Sequence, residues 1–261
     1  MRSLELTHPT PPFLSPQPPL CKARALHRGG KFCTLQHMTL ARGVAPEEYY
    51  HVFNRGAHRL PIFKDNIDRL RFLFLILYCQ SPATTKNVNR IVRRGSAEEG
   101  FPVPLDEQEV MIRSRGVELV AFSLMPNHFH LLLKETVEGG ISDYMQRVGT
   151  AYTMYFNTKY EASGHVFQGR YKSVHVKDNR QLTYLSAYIH RNPRELKDWK
   201  DKEEKYPFSS LQDYVDKNRW GNLIVTDIIA EQFAGAKDSN YRDFVRTSTA
   251  KMLAEELALP E

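Results

Sequence analysis

Apolar runs and the polar turns between them divide the chain into alternating strands and helices. The stretch YYHVFNRG, from Tyr49 to Gly56, has strand-forming residues that end in a turn, so it predicts a first strand. The apolar run in DNIDRLRFLFLILYCQ follows and predicts a buried helix with Asp65 as its N-cap. VELVAFSLM and HFHLLLK are apolar segments joined at Pro126-Asn127, which predicts a β-hairpin.

Three further segments complete the pattern. ISDYMQRVGTAYTMYFNTKY predicts a helix capped by Ser142, and GHVFQGRYKSVHV predicts an extended segment. DNRQLTYLSAYIHRNP predicts a helix that Pro193 ends, because the residue before a proline is displaced from the helical conformation. The order β-α-β-β-α-β-α predicts an α+β domain, with helices on one face of an antiparallel sheet and a mostly helical C-terminal tail.

Composition divides the chain into regions. Residues 1–37 are rich in proline and basic residues, which predicts a disordered tail before a main domain at 38–215. Within that domain, residues 81–115 carry glycine, proline and mixed charge, which predicts a long inserted loop. Residues 216–261 are predicted to form a helical extension.

Charge and cysteine content narrow the class of protein. The net charge of +6 mildly favours a polyanionic partner. The three cysteines have no C-x-x-C spacing, which argues against a disulfide framework and a thiolate zinc site. The apolar run Phe72–Tyr78 is far too short to span a membrane, and no signal peptide is recognisable. We therefore expect a cytoplasmic protein without a membrane partner.

Two histidines stand one residue apart in LMPNHFHLLLK. On a strand, alternate side chains share a face, so His128 and His130 are predicted to point away from the face of Phe129, Leu131 and Leu133. They can be surface residues of an amphipathic strand, or they can converge on one divalent metal ion. A metal site would need a third ligand from another element.

The helix LTYLSAYIHRNP offers such a ligand. Tyr188 and Asn192 lie four residues apart, so they are predicted to sit together beside its apolar stripe, with Tyr184 further round. Taken alone, Tyr188 can be a packing residue and Asn192 a capping residue. Taken with the histidines, Asn192 can complete a Mg²⁺ or Mn²⁺ site, and Tyr188 can be a nucleophile that attacks a phosphodiester.

The motifs YYHVFNRG, LMPNHFHLLLK, GHVFQGRYKS and YIHRNP occur in this order, and together they resemble the single-tyrosine HUH transposases. The chain most resembles the REP-associated tyrosine transposases, over about residues 45–215. The resemblance implies a ferredoxin-like or RRM-like HUH domain in which His128, His130 and Asn192 bind the metal. It also implies that Tyr188 attacks single-stranded DNA, which leaves a 5′-phosphotyrosine link and a free 3′-hydroxyl.

Two basic patches are predicted to bind DNA, because cations contact phosphates and aromatic rings stack on bases. The first consists of Phe167, Arg170, Tyr171, Lys172, Lys177 and Arg180, and the second of Asn54, Arg55 and Arg59. Either can also be a solvated basic surface. The resemblance implies that the DNA is a hairpin with adjacent single-stranded bases, and that the protein is prokaryotic and associated with the nucleoid.

Other functions remain open at this point. A relaxase-like nicking nuclease would share the fold without joining strands, and a catalytically silent module would only bind DNA. A zinc hydrolase would use water as the nucleophile and form no covalent adduct. Whether the protein is a monomer or a homodimer is also open.

Overall fold

The computed structural model describes residues 45–234, 240–249 and 252–253. The predicted disordered tail at residues 1–37 lies outside this part of the chain, as does most of the chain beyond residue 249.

A four-stranded antiparallel sheet forms the centre of the fold, and its strands are β1 Tyr49–Arg55, β2 Val117–Met125, β3 His128–Glu135 and β4 Lys172–Val176. They lie in the order β2-β3-β1-β4, so β1 is an interior strand although it comes first in the chain. The predicted hairpin is confirmed, since β2 and β3 are joined at Pro126-Asn127 and Met125 pairs with His128. The α+β class is confirmed.

The described residues also form α-helices, which are α1 Asn66–Tyr78, α2 Val88–Arg94, α3 Leu105–Arg113, α4 Gly140–Lys159, α5 Asn179–Arg191, α6 Leu211–Val215, α7 Asp227–Ala230 and α8 Tyr241–Thr247. Short 3₁₀ turns lie at Ala57–Arg59, Asn192–Glu195, Glu203–Lys205, Gly221–Leu223 and Glu231–Phe233. Asp65 caps α1 as predicted, because its carboxylate accepts a hydrogen bond from the Asp68 amide while the Asp68 carboxylate accepts from the Asp65 amide.

Helices cover both faces of the sheet, so the prediction that they share one face is wrong. α1 and α4 pack on the face that carries Phe129, Leu131 and Leu133. α5 packs on the opposite face, where its apolar stripe meets Leu132. An irregularity in β2 lets this strand serve both cores, because Val120 and Ala121 both join the α5 side.

The segment at residues 81–115 is not a long loop, because it contains α2 and α3. Its few apolar side chains, among them Val92, Phe101 and Met111, are buried with those of α1 in the same core. The Phe101 ring lies 5.3 Å from that of Phe74. Burial of these rings orders a segment whose composition indicates a loop.

The start of α4 depends on close backbone packing and not on Ser142, which corrects the predicted cap. The N-cap is Gly139, with a φ of +77° that favours glycine. At Gly140 a Cβ atom would lie 2.1 Å from the carbonyl oxygen of Gly116. Only glycine therefore allows α4 to begin so close to this backbone.

The C-terminal part of the chain is tied to α5 through a buried histidine. His190 is fully buried, and its Nδ1 lies 2.6 Å from the Tyr241 hydroxyl of α8. Its Nε2 lies 2.8 Å from Oγ of Ser210, which precedes α6. Arg191 also donates to the carbonyl of Val245 at 2.8 Å. α5 is therefore held between the sheet and the C-terminal helices.

Candidate active site

Strand β3 carries the two histidines on the face that meets α5. His130 is buried and His128 is half-buried, and their ring centroids lie 5.1 Å apart. The alternation along the strand explains this placement, since Phe129 and Leu131 enter the core under α1 and α4.

α5 brings Tyr188 and Asn192 to the same place. The Tyr188 ring lies 5.5 Å from that of His130, at an edge-to-face angle. Tyr184, one turn earlier, packs instead against Phe244 of α8 at 5.2 Å. The structure therefore groups Tyr188, and not Tyr184, with the histidines. Tyr184 is predicted to lie away from the apolar stripe of the helix, whereas in the structure it packs against the core that α5 and α8 share.

Hydrogen bonds to main-chain carbonyls set the orientation of two amides at this site. Asn192 Nδ2 donates to the carbonyl of Tyr188 at 2.8 Å, which leaves Oδ1 facing His128 Nε2 at 3.4 Å. Asn127 Nδ2 donates to the carbonyl of Arg59 at 3.1 Å, which leaves its Oδ1 facing His128 Nδ1 at 2.8 Å. Both amide oxygens only accept, and the shorter contact, to Asn127, favours the tautomer of neutral His128 that carries its proton on Nδ1.

With the proton on Nε2, His128 would donate to Asn192 Oδ1. With the proton on Nδ1, His128 Nε2 and Asn192 Oδ1 are both acceptors, and two lone pairs face each other. A cation between two such atoms would satisfy both. This arrangement is the observation by which the predicted metal ligands fit a divalent ion.

Burial keeps the histidines neutral and the tyrosine protonated. Desolvation lowers the pKa of His128 and lowers that of His130 well below its ordinary value. Desolvation also raises the pKa of Tyr188, as does the negative charge of Glu195. The histidines therefore offer lone pairs at neutral pH, whereas Tyr188 needs help to act as a nucleophile.

Within the described residues, no group of three or more His, Cys, Asp or Glu side chains is arranged to hold a metal ion. The predicted site consists of two histidines and one asparagine, so its third ligand is an amide. Its ligands are all neutral, and an anionic substrate would supply the balancing charge. Metal binding and the choice of Mg²⁺ or Mn²⁺ stay predictions.

The two predicted DNA patches adjoin each other. Asn54 Nδ2 donates to the carbonyl of Gly169 at 3.1 Å, and the Gln168 amide donates to the carbonyl of Arg55 at 2.9 Å. Arg55 is exposed and lies opposite His128 in the β1–β3 register, so its charge is close to the histidines. Six members of the patches are exposed, namely Arg55, Arg59, Arg170, Lys172, Lys177 and Arg180.

The aromatic members of the patches are less available. Phe167 packs against Phe129 at 5.9 Å and is part of the core surface, so its predicted stacking on a base gains no support. Tyr171 is half-buried against the same core. Phe53 is not among the predicted site residues, yet its half-buried ring lies 5.8 Å from that of His130, with Lys172 Nζ 5.9 Å from its centre.

His51, Asn127 and Glu195 were also missed. His51 Nε2 lies 2.9 Å from His130 Nδ1, and Asn127 contacts His128. The negative charge of Glu195 raises the pKa of Tyr188, although burial of the ring raises it more. Asn127 lies within the motif LMPNHFHLLLK, and Glu195 lies two residues beyond YIHRNP. His51 is part of YYHVFNRG, but only the register of β1 with β3 reveals its contact.

Two comparisons with known proteins find similarity to transposases. No curated protein matches the sequence. A solved structure described as a REP-associated tyrosine transposase bound to a REP hairpin covers 71% of this chain and 89% of its own, with 14% identity and a TM-score of 0.42. No helix of the described residues is long and apolar enough to cross a membrane.

A family model described as "Transposase IS200 like" matches residues 108–192. The matched segment contains β2, β3, α4, β4 and α5, and with them both histidines, Tyr188 and Asn192. It confirms the resemblance to the tyrosine transposases over these residues.

Proposed function

We propose that this protein is a metal-dependent transposase that cleaves and rejoins single-stranded DNA at hairpin-associated sites. The observation that carries the proposal is the convergence of His128 Nε2 and Asn192 Oδ1, 3.4 Å apart, beside His130 and the Tyr188 ring. A relaxase-like nicking nuclease and a silent DNA-binding module of the same fold are the alternatives. The IS200-like family match favours a strand-transfer enzyme over both.

In the proposed reaction the Tyr188 hydroxyl attacks a backbone phosphorus. A Tyr188 O–P bond forms and the bond from phosphorus to the 3′-oxygen breaks, which leaves a 5′-phosphotyrosine link. The phenolic proton passes to water, and the departing 3′-oxygen takes up a proton. Attack by a 3′-hydroxyl on the phosphotyrosine would reverse these steps and join strands.

His128 Nε2, His130 and Asn192 Oδ1 would hold the ion, which is Mg²⁺ or Mn²⁺. When bound, a divalent cation polarises the phosphate and neutralises charge that develops during the attack. The Tyr188 ring is half-buried beside His130, and Arg55 adds positive charge at the same end of strands β1 and β3.

The matched pair Tyr188→Phe and Tyr184→Phe tests the nucleophile. Both variants lose one hydroxyl and keep the ring. After incubation with single-stranded hairpin DNA and Mn²⁺, the Tyr184 variant should form a covalent protein–DNA adduct and the Tyr188 variant should not. An adduct that persists in Tyr188→Phe, or that mass spectrometry maps to Tyr184, contradicts the assignment.

The ion is tested by separating cleavage from binding. His128→Ala and His130→Ala should each abolish cleavage while hairpin affinity changes little, because phosphate contacts dominate affinity. Full cleavage in excess chelator contradicts metal dependence. A strand-joining assay distinguishes a transposase from a nicking nuclease, and hydrolysis without an adduct would indicate a zinc hydrolase.

A further inference from the structure

A buried histidine on β1 contacts one of the proposed metal ligands. In the register of β1 with β3, His51 pairs with Leu132 and Phe53 with His130, so the two histidines are diagonal neighbours on one face. Nε2 of His51 lies 2.9 Å from Nδ1 of His130, and both rings are buried. Phe53 flanks the pair, with its ring 4.7 Å from that of His51.

This hydrogen bond decides which nitrogen of His130 is free. The Nδ1 atom is occupied, so Nε2 is the nitrogen that remains for an ion. If His51 Nε2 donates to His130 Nδ1, a neutral His130 carries its proton on Nε2 and has no lone pair there. If His130 Nδ1 donates to His51, the lone pair lies on Nε2 and the ring is ready to bind.

Among the described residues, His51 Nδ1 has no hydrogen-bond partner. No second contact therefore determines on which nitrogen His51 carries its own proton. His128 differs, because the oxygen of Asn127 lies 2.8 Å from its Nδ1 and favours a proton there. His51 contacts Nδ1 of His130 as Asn127 contacts Nδ1 of His128, but Nε2 of His51 can either donate a hydrogen bond or accept one.

We propose that His51 is a positioning residue that accepts the Nδ1 proton of His130 and thereby directs the Nε2 lone pair of His130 to the metal. The proposal rests on the proposed function, since it assumes an ion at His128 and His130. Hydrogen-bond partners of this kind fix the ring orientation and tautomer of metal-bound histidines. His51 itself is not one of the proposed metal ligands.

Metal affinity measured without catalysis provides the test. Mn²⁺ binding to the full chain, followed by the EPR signal of free Mn²⁺, should weaken about 10- to 100-fold in His51→Phe. His51→Gln should restore much of the affinity, because its amide oxygen can accept from His130 Nδ1. His175→Phe, at an exposed position on β4, should leave the affinity unchanged and serves as the matched control.

His130→Ala separates failure of this inference from failure of the proposed function. Weakened Mn²⁺ binding in His130→Ala, with normal binding in His51→Phe, overturns the role of His51 alone. Normal binding in both variants overturns the metal site itself.

The wild-type protein provides a readout that does not depend on the folding of any variant. In ¹⁵N NMR spectra of the Mg²⁺-bound protein, the His130 proton should lie on Nδ1. A proton on Nε2 in that state overturns the inference.

Discussion

Replacing His190 with glutamine should change how the stability of the protein depends on pH. Complete burial lowers the pKa of His190 from 6.5 to about 3. The unfolded chain therefore binds a proton at this residue below about pH 6.5, whereas the folded protein does not. Because the folded pKa is depressed, the full contribution of His190 to the free energy of unfolding is present above the unfolded pKa. This contribution is lost as the pH falls towards the folded pKa.

The magnitude follows from the two pKa values. At pH 5 protonation of the unfolded state lowers the free energy of unfolding by about 2 kcal/mol, and at pH 4 by about 3 kcal/mol. Glutamine has no titrating group, so His190→Gln lacks this term. Loss of the contacts to Tyr241 and Ser210 should cost about 1–3 kcal/mol at pH 7.5.

Urea unfolding of both proteins at pH 7.5, 6 and 5 measures the effect. The stability advantage of the wild type over His190→Gln should shrink by about 2 kcal/mol between pH 7.5 and pH 5. The buried histidines of the active site are present in both proteins, so their contributions cancel. His175→Gln removes an exposed imidazole and controls for the loss of a histidine as such. An advantage that stays constant over this range would refute the reasoning.

Other consequences of the fold can be measured independently. Gly140→Ala should destabilise the protein by about 1–3 kcal/mol in urea unfolding, because its Cβ meets the carbonyl oxygen described above. Gly149→Ala, in the same helix but with open space at its Cβ, should be neutral or stabilising; equal losses would contradict the packing argument. Joint replacement of Arg170 and Lys172 by alanine should weaken DNA binding and flatten its dependence on salt, and an unchanged slope would argue against phosphate contacts there. A chain that starts at Met38 should melt and cleave like the full chain, and loss of either property would assign a role to the first 37 residues.

Local periodicity accounts for much of what could be predicted from the sequence. The two-residue spacing of His128 and His130 places them on one strand face, and the four-residue spacing of Tyr188 and Asn192 places them on one helix edge. Both relations are local, so they hold whatever the rest of the chain does. The turn at Pro126-Asn127 is local in the same sense.

Relations between distant segments could not be predicted in this way. The contact of His51 with His130 depends on strand register, and the packing of Phe167 and Tyr184 depends on which element covers them. The helices in residues 81–115 form because a few apolar side chains find a core formed by other segments. The spacing of residues within one segment does not indicate which distant segment will pack against it.

The interior position of β1 limits how this protein can be divided. The segment that matches the transposase family model begins at residue 108, yet β1 lies between β3 and β4 and carries His51 into the site. The same segment ends at residue 192, while α8 packs on α5 from beyond it. The segment that can be recognised from sequence is therefore not a segment that contains the whole site and its supporting elements. A chimera that exchanged residues 108–192 between relatives would combine one parent's ligands with the other parent's central strand.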